Sequence, residues 1–116
     1  LGKKVNNFSY PLLNTPCAQV QKSNAISYFE YIQTAFPKDY LIKDIEVHYY
    51  LGGPITNAEQ QVVGIMCILK QDKIELNNLN KTLFLLFIRR INLEIERLLS
   101  QRKLQFLASI PQQDPN

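Results

Sequence analysis

This chain is poor in the residues that build metal centres. It has one histidine, His48, and two cysteines, Cys17 and Cys67, which sit fifty positions apart and outside any CxxC spacing. Three such residues cannot complete an ordinary four-ligand site, so no metal is expected, and free thiols in a reducing cytosol are the plain reading. Long apolar runs are also missing. The densest, Leu83-Phe84-Leu85-Leu86-Phe87-Ile88, stops at Arg89, whereas a membrane-spanning helix needs about twenty residues. Charge bias is weak: the formal net charge is +3, and basic pairs such as Lys3-Lys4 and Arg89-Arg90 are isolated. Nucleic-acid binding asks for a basic stripe interleaved with aromatics, and none is seen. No secretory leader is read at Leu1-Gly2-Lys3-Lys4, so a cytoplasmic protein without membrane insertion is expected.

What is present suits a single small domain. At 116 residues, 46% apolar and 20% charged, the chain can build one core and stay soluble. Lys4 to Leu12 alternates, with Phe8, Tyr10 and Leu12 on one face, and reads as a strand that Pro11 ends or confines to an edge. Thr15-Pro16 reads as N-cap and first residue of a short helix through about Lys22. Ala25 to Tyr31 is aromatic and reads as a second strand. Pro37 would suit the first turn of another short helix within residues 33–44.

Glu46 to Leu51 and Gln61 to Lys70 read as an antiparallel hairpin. Tyr50-Leu51-Gly52-Gly53-Pro54-Ile55 carries a Gly-Gly-Pro punctuation, expected to stop the first strand because proline cannot continue a central ladder. Residues on both faces of the hairpin are mostly apolar, so both faces should be covered. Asn77-Asn78 caps a helix from Leu79 to about Ile110, where Pro111 ends it. Such a helix is roughly 45 Å long, more than a small sheet needs. Its first half is apolar on nearly every side, as a helix pressed onto a sheet would be. Phe84, Ile88, Ile91, Ile95 and Leu98 keep alternating 4-and-3 spacings, flanked by Glu94, Glu96, Arg97 and Arg102. That stripe is either a core stripe or the seam of a two-helix dimer running out of the domain.

Five blocks in order, Thr15-Pro16-Cys17, Phe36-Pro37-Lys38-Asp39-Tyr40-Leu41, Tyr50-Leu51-Gly52-Gly53-Pro54-Ile55, Gly64 in its apolar strand, and Glu94-Ile95-Glu96-Arg97, resemble a bacterial GAF-domain subfamily. The resemblance implies an α/β (α+β) fold of GAF/PAS type. A central antiparallel sheet would be flanked by helices, with a ligand pocket on one side and a long C-terminal helix on the other. It further implies a sensory domain over residues 1–110, a polar tail or linker over 111–116, homodimers, and an output domain (GGDEF/EAL or histidine kinase) in the same protein. Two departures stand out. The first helix and strand usual in the family are absent before Leu1, which would leave apolar surface beside the final helix. The residue after Thr-Pro-Cys, usually acidic there, is Ala18.

Cys17, in the first turn of a helix, would have its thiolate favoured by the helix dipole. It reads either as a reactive or ligand-attaching thiol, as where GAF domains attach bilins, or as a small structural residue. The family branch that reduces free methionine sulfoxide uses more cysteines in another arrangement. Asp39 could bind a ligand's donor group or cap the turn around Pro37. His48, alone in a strand, reads as structural rather than as a haem ligand. Tyr28, Phe36, Tyr40, Tyr49, Tyr50 and Cys67 have the mixed character of a small-molecule pocket, or they simply fill the core. Strand parity allows only one of Tyr49 and Tyr50 to face a pocket.

The expected ligand-binding set is Cys17, Tyr28, Phe36, Asp39, Tyr40, Tyr49 and Cys67, with no catalytic residues and the cofactor open. Phe84, Ile88, Ile91, Ile95 and Leu98 are the expected dimer and signal stripe. The expected function is a non-catalytic sensory domain that binds a small molecule or partner. The alternatives are a small thiol-dependent enzyme using Cys17 and a ligand-free dimerisation module.

Overall fold

The computed structural model describes residue 4 and residues 6–111. It is a mixed helix-and-strand fold built on a three-stranded antiparallel sheet. Helix α1 (Pro16–Ser23) starts where the sequence asks: Thr15 is the N-cap, its hydroxyl accepting from the Ala18 N–H, and Pro16 is the first helical residue. It ends at Asn24 in the left-handed conformation, φ 50°. Strand β1 (Ser27–Glu30) follows, then two short helices, α2 (Ile32–Ala35) and α3 (Tyr40–Asp44). Strands β2 (Tyr49–Thr56) and β3 (Val62–Lys70) form the hairpin, and α4 (Asn78–Ser109) closes the chain with Asn77 as its side-chain cap.

Three local expectations are corrected. Residues 6–12 form no strand, although their polar and apolar residues alternate (residue 5 lies outside the described residues). Leu12 instead turns the chain into α1, its carbonyl accepting from the Thr15 N–H and hydroxyl. Pro37 starts no helix. It lies between α2 and α3, and α3 begins with Asp39 as its cap. His48, expected within a strand, immediately precedes β2 and is exposed.

A fourth correction concerns the Gly-Gly-Pro motif. Strand β2 runs straight through it, and the turn comes at residues 57–61, where the Asn57 carboxamide accepts from the N–H groups of Glu59 and Gln61. β1 reaches only to Gly52, so at Pro54 the strand β2 has a single neighbour, β3, and the missing N–H can face an open edge.

The glycines serve space rather than backbone freedom. A Cβ on Gly52 would collide with the Tyr50 phenol, and one on Gly53 would meet the Ile88 methyl and, at 3.2 Å, the Phe84 ring. One glycine opens each face of the sheet to its cover. On one face α1 crosses the strands, and Val20, Ile32, Ile42 and Tyr50 form the core. On the other, α4 packs on β2, and Leu51, Ile74, Phe84 and Ile88 form a second core. Both faces of β2 are covered, as the hairpin's composition asks, whereas β3 has no fully buried residue and leaves Val63 exposed.

The last helix has more length than sheet to cover. Its 32 residues span about 48 Å, and the molecule extends 69 Å along its longest axis. The radius of gyration is 18.5 Å, against about 13 Å for a compact chain of this size. Phe84 and Ile88 are buried, Ile91 and Ile95 half-buried, and Leu98 exposed. One polar contact marks where the helix leaves the sheet: the Asn92 carboxamide accepts from the Thr56 N–H at 3.3 Å. The first half of the helix is apolar on more sides than the sheet covers, so Leu79, Leu83, Leu86 and Phe87 remain exposed. None of the described helices is long and apolar enough to cross a membrane.

Candidate functional site

The face under α1 gathers sulfur and oxygen around one buried ring. Tyr50 is nearly inaccessible, and Gly52 next to it on the same face leaves its ring room to lie flat along the strand. The Tyr50 hydroxyl reaches the Cys17 sulfur at 3.3 Å. Cys67 stands opposite Gly52 in the β2–β3 register, between Ile65 and Leu69, which pack on the same core. Its side chain therefore points to the face on which Tyr50 and α1 lie. A second chain of contacts leads away: Tyr10 donates to Asp39 at 2.7 Å, and Asp39 accepts from the Ile42 N–H at 3.3 Å. Among the described residues no buried side-chain nitrogen or oxygen lacks a partner.

The ionisation of these groups follows from their contacts. The Cys17 thiol is lowered to about 6, first because Cys67 hydrogen-bonds its thiolate and then through the hydroxyls of Tyr50 and Tyr10, against the opposing effect of burial. Cys67, as the donor in that pair, is pushed up, chiefly by the same bond and then by burial. Tyr50 is raised by burial and by its bond to Cys17. Tyr10 is raised by burial and by its bond to Asp39. The cluster thus holds one readily formed anion, on Cys17, inside a ring of proton donors.

Two cavities adjoin it, with Tyr10 in the wall of both. One, of about 350 Å³, is lined by Tyr10, Leu12, Cys17, Gln21, Val62 and Ile65. The other, of about 290 Å³, lies between the segment around Phe8 and helix α3, where Asp39 and Tyr40 line it.

The expected site residues are divided by this arrangement. Cys17, Cys67 and Asp39 lie on the α1 side and belong to the cluster or its extension. Phe36 is on that side too, edge-on to Phe29 with ring centres 4.9 Å apart. Tyr40 is 73% exposed, with the Lys43 ammonium over its ring. Tyr28 and Tyr49 lie on the opposite face, packed against the α4 core. Tyr28 bonds Glu30 and the Ile74 carbonyl, and Tyr49 leans on Tyr31. Of the two adjacent tyrosines it is therefore Tyr50 that faces Cys17. Asp39 does cap a helix, α3 rather than a turn at Pro37, and it also holds Tyr10.

Tyr10 is the participant that sequence reasoning left out. Its alternation with Phe8 and Leu12 gave it the pattern of a strand residue, and no local signal ties it to Asp39. Among the described residues no group of three or more metal-ligating side chains comes together. No known family matches the chain, and neither the curated proteins nor the solved structures contain a match.

Proposed function

We propose that this chain is a non-catalytic sensory module of the GAF type, acting in the bacterial cytoplasm. A small molecule would occupy the cavities beside Cys17 and Tyr10. The signal would pass through α4 to an output domain, of GGDEF/EAL or histidine kinase kind, in the same protein. The observation that carries the reading is the division of α4. Phe84 and Ile88 are spent on the domain's own sheet, while Ile91, Ile95 and Leu98 continue the same stripe past the sheet with progressively less cover. A helix of this kind has a use for a second copy of itself, whose Ile91, Ile95 and Leu98 would complete the knobs-into-holes seam. Ligand binding signals only if the two helix arrangements bind the ligand with different affinity.

Light scattering on the intact chain tests the reading. The wild type is expected to be a dimer at tens of micromolar, and Ile91→Asp with Ile95→Asp a folded monomer, with folding checked by circular dichroism. A wild type that stays monomeric, or a double variant that stays dimeric, removes the seam.

The thiol-dependent alternative draws on the lowered Cys17. A Cys17 thiol that alkylates no faster than free cysteine would end it.

A further inference from the structure

We propose that Cys17 and Cys67 are a peroxide-reactive pair that closes an intramolecular disulfide between α1 and β3. The placement rests on the sheet register. Gly52, opposite Cys67, lies directly beneath the Tyr50 hydroxyl, and that hydroxyl touches the Cys17 sulfur at 3.3 Å. Directly opposed strand residues hold their Cβ atoms about 5 Å apart, so both sulfurs flank one hydroxyl. Helix α1 packs on β3 as well as on β2, so the two elements that carry the thiols are neighbours. Access is provided from two sides: Cys67 is exposed, and Cys17 lines an open cavity of about 350 Å³.

The chemistry closes without other partners than a peroxide, ROOH. The Cys17 thiolate attacks one peroxide oxygen, the O–O bond breaks, and the departing alkoxide takes a proton and leaves as ROH. Sulfur is oxidised by two electrons to the sulfenic acid while the peroxide is reduced. The Cys67 sulfur then attacks the Cys17 sulfur. The S–O bond breaks, hydroxide leaves with the Cys67 proton as water, and the S–S bond forms. The thiolate character of Cys17 and the retained proton on Cys67 assign the first attack to Cys17 and the resolving role to Cys67. Both thiols are ordinary free cysteines until the oxidant arrives.

The test treats the intact reduced chain with one equivalent of hydrogen peroxide. The expected product is a chain without an interchain cross-link, lighter by about 2 Da, whose non-reducing peptide map joins the Cys17 and Cys67 peptides. Cys67→Ser should stop at the sulfenic acid and give a dimedone adduct on Cys17. Cys17→Ser should leave Cys67 unmodified at the same dose. A disulfide formed only between chains, Cys17 passing to the sulfinic acid beside a free Cys67, or two unreacted thiols would each overturn the proposal.

Discussion

On the face covered by α1, α2 and α3, the groups that meet Tyr50 include the sulfur of Cys17. On the face covered by α4, the buried groups closing on Leu51 are Ile74, Phe84 and Ile88, with the Tyr28, Tyr49 and Met66 side chains at the margin. The difference matters because hydrogen bonds are directional and hydrophobic burial is not. The first face is held in one arrangement by Cys17–Tyr50, Tyr10–Asp39 and the caps at Thr15 and Asp39. The second is held mostly by contact area, with the Thr56–Asn92 bond as the polar tie between sheet and α4. A sheet built this way keeps its directional contacts on the side with the thiols and relies mainly on contact area on the side of the long helix.

The largest expected effect falls on the α1 side. A Cys17–Cys67 bridge closes a loop of about 50 residues, which in the chain-entropy account stabilises the fold by about 4 kcal/mol. Thermal melts of the peroxide-treated chain with and without reductant measure it, and Cys67→Ser should abolish the difference. The gain should leave the α4 face untouched.

Substituting the two glycines separates the faces directly. Gly52→Ala and Gly53→Ala should each cost about 1–3 kcal/mol through overpacking, but with opposite signatures. Gly52→Ala displaces the Tyr50 ring and should slow Cys17 alkylation while the α4 face stays closed. Gly53→Ala pushes against Ile88 and Phe84, and should raise binding of an apolar dye while Cys17 keeps its reactivity. Identical signatures in urea unfolding and alkylation would mean that the two faces are not independent.

Tyr50→Phe is the mildest change, worth about 1 kcal/mol for the lost bond, and it should move the Cys17 thiol upward. The pH profile of alkylation reads this: the wild-type midpoint lies near pH 6, from the thiol lowered to about 6, and the variant's lies higher. The stability profile has a defined sign. A thiol held below its ordinary 9.0 contributes stability that is full above that value and lost as pH falls through about 6. Cys67, Tyr10 and Tyr50 are shifted up, so their share is full at neutral pH and is lost under alkaline conditions. Denaturant midpoints should therefore rise between pH 6 and 9 and fall beyond, and Cys17→Ser should flatten the rise.

Where a few neighbouring residues decide the structure, the sequence could be read. Thr15-Pro16 and Asn77 start helices because capping needs only the next two or three N–H groups, and the hairpin's second strand is marked by its run of apolar residues. The same local rules misread Gly52-Gly53-Pro54, because a glycine needed for the close approach of a distant ring looks like one needed for a turn. Tyr10 was hidden for the opposite reason: its pattern suited a strand, and only tertiary packing places it on Asp39, 29 positions away. Parity separated Tyr49 from Tyr50 but could not say which faced the thiol, since that depends on where α1 lands. The meeting of Cys17 with Cys67 is likewise a product of the sheet register and α1 together.

The Thr56–Asn92 contact has a mechanical consequence. Asn92 lies near the middle of α4, fourteen residues from its start and seventeen from its end, which gives arms of about 21 and 26 Å. Anchored there by a single bond and resting elsewhere on carbon, the helix is a lever with Asn92 as its fulcrum. A rocking of about 5° would move Ile88, four residues from that point, by about 0.5 Å and the far tip by about 2 Å.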